Sequence, residues 1–98
     1  MSIITVTLNP AIDQTITIDQ LTVGAVHRAE SVHYNAGGKG IMVASCLAEW
    51  GLTELSATGF LGEDNAGIFI KALDEKGIKN QFIKVPGSNR TNIKIVDK

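Results

Sequence analysis

NAGGKG at residues 35–40 runs without a break into IMVASCLAEWG at residues 41–51, and our interpretation of the chain begins at this junction. Three glycines in four positions allow positive φ angles and leave the main chain unshielded by side chains. Val43, Leu47 and Trp50 recur at helical spacing, which predicts a helix that Gly51 ends. Its free N–H groups would face any oxygen-rich or anionic ligand bound at the glycines.

Two interpretations of this glycine-rich segment stay open, a ligand-binding loop or a plain tight turn from strand to helix. The spacing matches neither a nucleotide P-loop nor the dinucleotide-binding fingerprint. The segment therefore predicts local structure more firmly than it predicts a ligand.

The segment before the glycines begins with a strand. Residues 2–8 are almost continuously apolar or threonine, which predicts a strand buried on both faces. Pro10 would end it. Asp13 follows just beyond, where open α/β sheets bind ligands. An Asx turn or cap is the alternative role for this carboxylate.

Residues 14–34 form a more polar insert. Residues 15–19 alternate strictly between polar and apolar, as in a half-buried strand. We expect the insert to form a small separate sheet, or flap. His27 and His33 have no matching third ligand, so we expect no metal site there.

The segment after the first helix repeats the strand-helix pattern. We predict a buried strand at 54–60, a helix at 66–76 capped by Asp64 or Asn65, and a strand at 81–85. Gly77 should end this second helix as Gly51 ends the first. The order predicts two βαβ crossovers, hence an α/β fold with a parallel sheet and covering helices.

Size and composition limit the function classes. A chain of 98 residues forms at most one small domain, and a net charge of −1 gives no general attraction to nucleic acid or to acidic membranes. We see no signal peptide and no run long enough to span a membrane, so we expect a cytoplasmic location. We expect Cys46, the single cysteine, to be a buried core residue.

Three polar side chains near the end of the sequence fall on alternate residues. Arg90, Asn92 and Lys94 would share one face of a strand and could hold a phosphate there. A solvated strand face with ordinary cations is the alternative. The sequence stops within this strand-like pattern, so we expect a fragment.

Four motifs now agree on one family. They are TLNPAID at 7–13, GGKG at 37–40, GFLGEDN at 59–65 and RTNIK at 90–94. In this order they resemble the N-terminal part of the PfkB (ribokinase-like) sugar kinases, in the 1-phosphofructokinase and tagatose-6-phosphate kinase branch. The resemblance covers essentially all of residues 1–98, which would be the N-terminal part of one kinase domain.

The resemblance implies a ribokinase-like fold, in which a parallel sheet with flanking helices carries a small β-sheet lid. The lid would consist of about residues 14–34 and 90–98. The family implies an ATP- and Mg²⁺-dependent kinase of a phosphorylated ketohexose, fructose 1-phosphate or tagatose 6-phosphate. It also implies a homodimer through the lid, with neither nucleic acid nor a membrane as partner.

The site residues implied by the family follow from the matching motifs. Asp13 resembles the carboxylate that accepts hydrogen bonds from sugar hydroxyls. Gly37 and Gly38 would offer N–H groups to the sugar, and Lys39 would lie near its oxygens or phosphate. The residues that would grip the phosphate are Arg90, with Asn92 and Lys94 beside it, and more weakly Arg28 of the lid.

The sequence departs from the family at two places. Met42 stands where the family usually has an asparagine that contacts the sugar. The Gly-Ala-Gly-Asp motif, whose aspartate is the family's catalytic base, does not occur in the sequence. We therefore expect no catalytic residue and no metal ligand in this chain, and the nucleotide site mostly outside it.

Three hypotheses result. The first is a phosphosugar kinase of which this chain carries the sugar-binding half. The second is a non-catalytic sugar-phosphate-binding or lid-association fragment, and the third is a truncated chain with neither activity.

Overall fold

A computed structural model describes residues 2–97 of the chain, and they form two sheets and two helices. The strands are β1 (Ile3–Thr7), β2 (Ala11–Ile18), β3 (Ser31–Gly37), β4 (Leu55–Gly62), β5 (Lys79–Asn80), β6 (Ile83–Val85) and β7 (Arg90–Asp97). The helices are α1 (Lys39–Glu49) and α2 (Gly67–Glu75), and a short 3-10 turn covers Glu63–Asn65.

The central sheet is parallel. Its strands run in the order β1-β4-β5, and β6 also pairs with β4. The chain runs from β1 through β2, β3 and α1 to β4, and α2 then connects β4 to β5. Both helices pack on the same face of β4, where Leu55, Ala57 and Leu61 are buried. The predicted α/β fold with two parallel crossovers is confirmed.

Strand β1 corrects one prediction. We expected it to be buried on both faces, but only Thr5 and Thr7 are buried, whereas Ile4 and Val6 are 59% and 58% exposed. The cause is that both described helices cover the same face of the central sheet. The opposite face of β1 is bare within residues 2–97.

Helix α1 is confirmed, but its buried face is not the apolar stripe that predicted it. Ile41 and Ala44 are buried, whereas Val43 and Trp50 are exposed. Cys46 is exposed as well, so the expectation of a buried core cysteine was wrong. The small alanine lets the helix approach the sheet, and the larger apolar side chains point outward.

Both helices end in the way the glycines predict. The Leu52 N–H donates to the Leu47 carbonyl and the Gly51 N–H donates to the Ala48 carbonyl, at 3.2 and 3.0 Å. These two bonds form a Schellman motif. The same pair of bonds closes α2 at Gly77.

The region around α2 differs from the prediction at two points. Ala66 is the N-cap, with no side-chain hydrogen bond, so the expected cap by Asp64 or Asn65 was wrong. Asn65 forms hydrogen bonds with Asn89 instead. The strand expected at 81–85 is shorter, because only β6 at 83–85 forms within that range. Strand β5, at 79–80, pairs with β4 separately.

The second sheet has the order β3-β2-β7, with β3 antiparallel and β7 parallel to β2. It begins at Ala11 and reaches Gly37, beyond both ends of the segment expected at 14–34. Strand β7 falls within the expected segment at 90–98, of which Lys98 lies outside the described residues. We call these three strands the lid sheet, although its role as a lid stays a prediction.

Cross-strand register gives the lid sheet two different faces. On one face polar side chains prevail, and they are Asp13, Thr15, Thr17, Ser31, His33, Asn35, Arg90, Asn92 and Lys94. The other face is largely apolar, and its side chains include Ile12, Ile16, Val32, Tyr34, Ile93 and Ile95. At its base Ile12 and Ala36 pack against the main core, while Ile93 and Ile95 are exposed.

Candidate functional site

The glycine-rich segment joins the lid sheet to α1. Strand β3 ends at Gly37, Gly38 is the N-cap of α1, and the helix begins at Lys39. Gly38 has φ 122°, a conformation that side chains disfavour, and an added Cβ would come within 2.7 Å of the Thr7 methyl group. Glycine therefore allows the helix N-terminus to approach the end of β1.

Thr7 lies beneath this junction and was missed as a site residue by sequence reasoning. Its side chain is only 5% exposed, and Oγ1 has no hydrogen-bond partner among the described residues. A Cβ at Gly40 would collide with this hydroxyl. Leaving a buried hydroxyl unpaired costs about 1–3 kcal/mol; Thr5 Oγ1 on the same face of β1 is unpaired as well, but only Thr7 lines the cleft described next. The strand-like pattern of residues 2–8 masked it.

An open cleft of about 250 Å³ lies where three distant parts of the chain meet. Thr7 and Asn9 come from the end of β1, Gly38 and Lys39 from the start of α1, and Arg90 from the start of β7. The cleft therefore combines a guanidinium, an ammonium and a helix N-terminus. All three favour an anionic group such as a phosphate.

The carboxylate of Asp13 lies beside this cleft. Asp13 comes after the end of β1, as expected, but it lies within a strand of its own, β2, opposite Asn35 on β3 and Asn92 on β7. Asn92 Nδ2 donates to Asp13 Oδ1 at 3.2 Å. A Cβ on Gly37 would come within 2.5 Å of Asp13 Oδ2 and 3.0 Å of the Ala11 carbonyl oxygen, so glycine leaves room for the carboxylate in this position.

The remaining expected residues are placed as follows. Lys94 lies on the polar face of the lid sheet, one row beyond Asp13 and opposite Thr15. Arg28 lies in the connection between β2 and β3 and does not line the cleft. The structure thus brings together Asp13, Gly37, Gly38, Lys39, Arg90 and Asn92, and it leaves Arg28 apart.

Met42 is 61% exposed on the first turn of α1. It adjoins an outward apolar surface formed with Val43, Cys46, Leu47 and Trp50. Met42 is therefore not a core residue that faces the sheet within residues 2–97.

The site residues can bind rather than react. Their carboxylate, amides and backbone N–H groups suit hydroxyls, and their cations suit an existing phosphate. Among residues 2–97, no group of three or more His, Cys, Asp and Glu side chains is arranged to hold a metal ion. Neither described helix is long and apolar enough to cross a membrane.

Comparison with known proteins also points to a sugar-binding protein. Residues 6–98 match the family model described as pfkB family carbohydrate kinase. The 1-phosphofructokinase of Xanthomonas campestris pv. campestris is 57% identical over 94 residues, which are 96% of this chain and 29% of that protein. The chain spans about 30% of the length of the curated relatives it matches.

Solved structures agree on the fold. Ribokinase from Thermotoga maritima superposes with a TM-score of 0.81 at 25% identity, over 100% of this chain and 33% of that one. Phosphofructokinase-2 from Escherichia coli gives 0.85 at 22% identity, over 97% and 31%. The described residues therefore have the ribokinase-like fold.

Proposed function

Since the chain belongs to the pfkB family of carbohydrate kinases, we propose that it carries the sugar-binding half of an ATP-dependent kinase that acts on a phosphorylated ketohexose. The substrate would be fructose 1-phosphate or tagatose 6-phosphate. Support comes from the family and from the name of a relative 57% identical, 1-phosphofructokinase.

One observation carries the proposal. Asp13 and Arg90 project from the same face of two paired strands, because Ala11 pairs with Arg90 and Asp13 pairs with Asn92. A carboxylate that can accept hydrogen bonds from hydroxyls and a guanidinium that can donate hydrogen bonds to a phosphate are thereby held on one face. A phosphorylated sugar presents the complementary groups, hydroxyls next to a dianionic phosphate.

We assign the roles from these positions. Asp13 would accept hydrogen bonds from sugar hydroxyls, and Gly37 and Gly38 would donate N–H groups to sugar oxygens. Arg90 and Lys39 would bind the existing phosphate. Each such charge-assisted hydrogen bond contributes about 1.5–3 kcal/mol when it is formed in a partly desolvated site.

Three weaker assignments complete the binding site. Asn92 would orient Asp13 through the hydrogen bond between their side chains. Lys94 would extend the positive face one row outward. Arg28 would reach the phosphate only if the connection between β2 and β3 folds over the cleft.

ATP and Mg²⁺ would bind in the part of the relatives that this chain does not span. Phosphoryl transfer requires that nucleotide, metal and acceptor are positioned together, and that a base accepts the hydroxyl proton. In this proposal the described residues hold and orient the acceptor sugar. A cytoplasmic location follows from the proposal, because ATP and sugar phosphates are found there.

The apolar face of the lid sheet supports a proposed homodimer. Ile93 is 63% exposed and Ile95 is 56% exposed, and Val32 lies on the same face across β2. A second copy of the same face would cover these side chains, since twofold interfaces are self-complementary.

The sharpest test is a chimaera in which residues 2–97 replace the matching segment of the Xanthomonas campestris 1-phosphofructokinase. We expect it to phosphorylate fructose 1-phosphate or tagatose 6-phosphate with ATP, and to use unphosphorylated fructose poorly. The parent relative is the positive control. A chimaera that folds but shows no preference for a phosphorylated ketohexose would overturn the proposal.

A binding measurement on the 98-residue chain tests the alternative, a non-catalytic sugar-phosphate-binding segment. That interpretation is favoured by a site that contains binding groups and by a sequence without the Gly-Ala-Gly-Asp motif. It predicts that the chain by itself binds the sugar phosphate in calorimetry, whereas the kinase proposal predicts turnover by the chimaera, in which the relative would supply the base and the ATP site.

A further inference from the structure

We infer that Asn65 and Asn89 are positioning residues that fix Arg90 for the substrate phosphate, an inference that rests on the proposed function. The two side chains join the end of the central sheet to the start of the lid sheet. None of the four motifs that indicate the family assigns a role to Asn89.

The contacts form a closed hydrogen-bonded cluster, which we call the asparagine clasp. Its members are Asn65 of the 3-10 turn, Asn89 just before β7, and Gly62 at the end of β4. Gly62 N–H donates to Asn89 Oδ1 at 2.8 Å, and Asn89 Nδ2 donates to the Gly62 carbonyl at 3.0 Å. The side-chain amide of Asn89 thus pairs with the backbone of β4 as another strand would.

Asn65 binds the other side of Asn89. Its Oδ1 accepts from the Asn89 N–H at 2.7 Å and from Asn89 Nδ2 at 2.8 Å, and its Nδ2 donates to the Asn89 carbonyl at 3.1 Å. Every polar group of Asn89 is therefore used. Because both side chains are half-buried, these bonds are shielded from water and hold the backbone of Asn89 in one orientation.

Steric contact reinforces the clasp. A Cβ on Gly62 would lie 2.7 Å from the Gly87 carbonyl oxygen and 2.9 Å from the Asn89 nitrogen. The loop at 86–89 thus rests directly on the backbone of β4. Residues 86–88 are exposed, and Gly87 has φ 102°. Apart from the clasp, the Asp64 N–H holds this loop through the Gly87 carbonyl at 3.0 Å.

Arg90 is the next residue after the clasp and lines the cleft. Its long side chain magnifies any rotation of the backbone at Asn89, so a loosened clasp would displace the guanidinium from the phosphate position. Fixing the backbone before the ligand arrives removes part of the ordering cost of binding. The clasp should therefore act on affinity for a phosphorylated sugar, and only through Arg90.

The kinetic test uses Asn89→Ala in the chimaera. We expect KM for the phosphorylated ketohexose to rise about ten-fold, with kcat nearly unchanged and with KM for unphosphorylated fructose unchanged. Asn65→Ala keeps the pairing of Asn89 with Gly62 and should give a smaller rise. Equal changes with both sugars would overturn the inference.

Asn80→Ala is the matched control. It removes a single side-chain acceptor, the one for the Phe82 N–H at 3.0 Å, from the end of β5, outside the cleft. It should leave both KM values unchanged. A rise in KM as large as that of Asn89→Ala would mean that the clasp contributes only to general stability.

A double-mutant cycle isolates the route of the effect. In an Arg90→Ala background, Asn89→Ala should cause no further rise in KM for the phosphorylated sugar, because the group that it positions is gone. Additive effects of the two substitutions would show that the clasp does not act through Arg90.

Amide hydrogen exchange in the 98-residue chain tests the clasp independently of the proposed kinase function. Asn89→Ala should speed exchange at residues 90–92 and leave residues 15–17 of the same sheet unchanged. An inactive chimaera would count against the kinase proposal alone. Unchanged exchange at 90–92 would overturn the clasp inference whatever the chimaera does.

Discussion

Asn92 Nδ2 donates to Asp13 Oδ1 at 3.2 Å, although 79 residues separate the two along the chain. The bond crosses the parallel pair β2 and β7, and it engages one oxygen of the carboxylate while the other lies over Gly37. The carboxylate is thereby held in one orientation. This arrangement leads to the first prediction.

Asp13→Ala in the chimaera should lower kcat/KM for phosphorylated and unphosphorylated ketohexoses alike. The loss should be about ten-fold or more for each, because a charged acceptor of sugar hydroxyls contributes about 1.5–3 kcal/mol. Steady-state kinetics with both sugars provide the measurement. Asp19→Ala, at an exposed position just beyond β2, is the control. An effect confined to the phosphorylated sugar would contradict the assigned role.

Arg90→Ala should affect the phosphorylated sugar alone. KM for the phosphorylated ketohexose should rise by a factor that corresponds to about 1.5–3 kcal/mol, while weak activity on fructose stays the same. Lysine at this position should recover only part of the loss, since it keeps the charge but not the fork of donors. Arg28→Ala removes the same group away from the cleft and should have a smaller effect. Equal effects of Arg90→Ala on the two sugars would remove Arg90 from the site.

Met42→Asn should raise sugar affinity. An asparagine on the first turn of α1 would offer a polar partner beside the glycines, worth about 0.5–1.5 kcal/mol net. Since Met42 is 61% exposed, the melting temperature should hardly change. Titration calorimetry and thermal melting of the chimaera test both statements. Val43→Asn places the same amide on the next residue and should leave affinity unchanged. Unchanged or weaker binding would mean that residue 42 does not contact the sugar.

The 98-residue chain alone should transfer no phosphoryl group. Its sequence contains no Gly-Ala-Gly-Asp motif, and transfer depends on positioning nucleotide, metal and acceptor together. The measurement is a coupled assay of ATP consumption with mass-verified protein. Substrate-dependent turnover well above that of a heat-denatured control would refute it.

Ile93→Asp should weaken the proposed dimer. A charge placed in an interface core that buries apolar side chains should raise the dimer dissociation constant by about ten-fold or more. Sedimentation velocity over a concentration series measures this constant. His33→Asp places the same charge on the polar face of the lid sheet and is the control. Equal sedimentation of both variants and the parent would exclude this face as the interface.

The sequence predicted the architecture well for identifiable reasons. Glycines at positions 51 and 77 marked both helix ends, because their positive φ angles are those a Schellman motif requires. The alternation of Arg90, Asn92 and Lys94 correctly placed them on one strand face, since that depends only on the strand period.

Burial was predicted less well because it depends on which elements pack together. Val43 and Trp50 have the spacing of a core face, yet the helix turns Ile41 and Ala44 toward the sheet. Within the site, Thr7 and Asn89 went unnoticed for the same reason. Their importance comes from neighbours more than 20 residues away, Gly38 and Gly40 for Thr7 and Asn65 for Asn89.

The bare face of the central sheet affects how the chain behaves in solution. Ile4, Val6 and Phe60 present apolar side chains to water there, beside an outer edge of β1 that pairs with no described strand. Surfaces of this kind bind hydrophobic dyes and chaperones and promote precipitation at high concentration. Work with the 98-residue chain by itself therefore calls for dilute solutions.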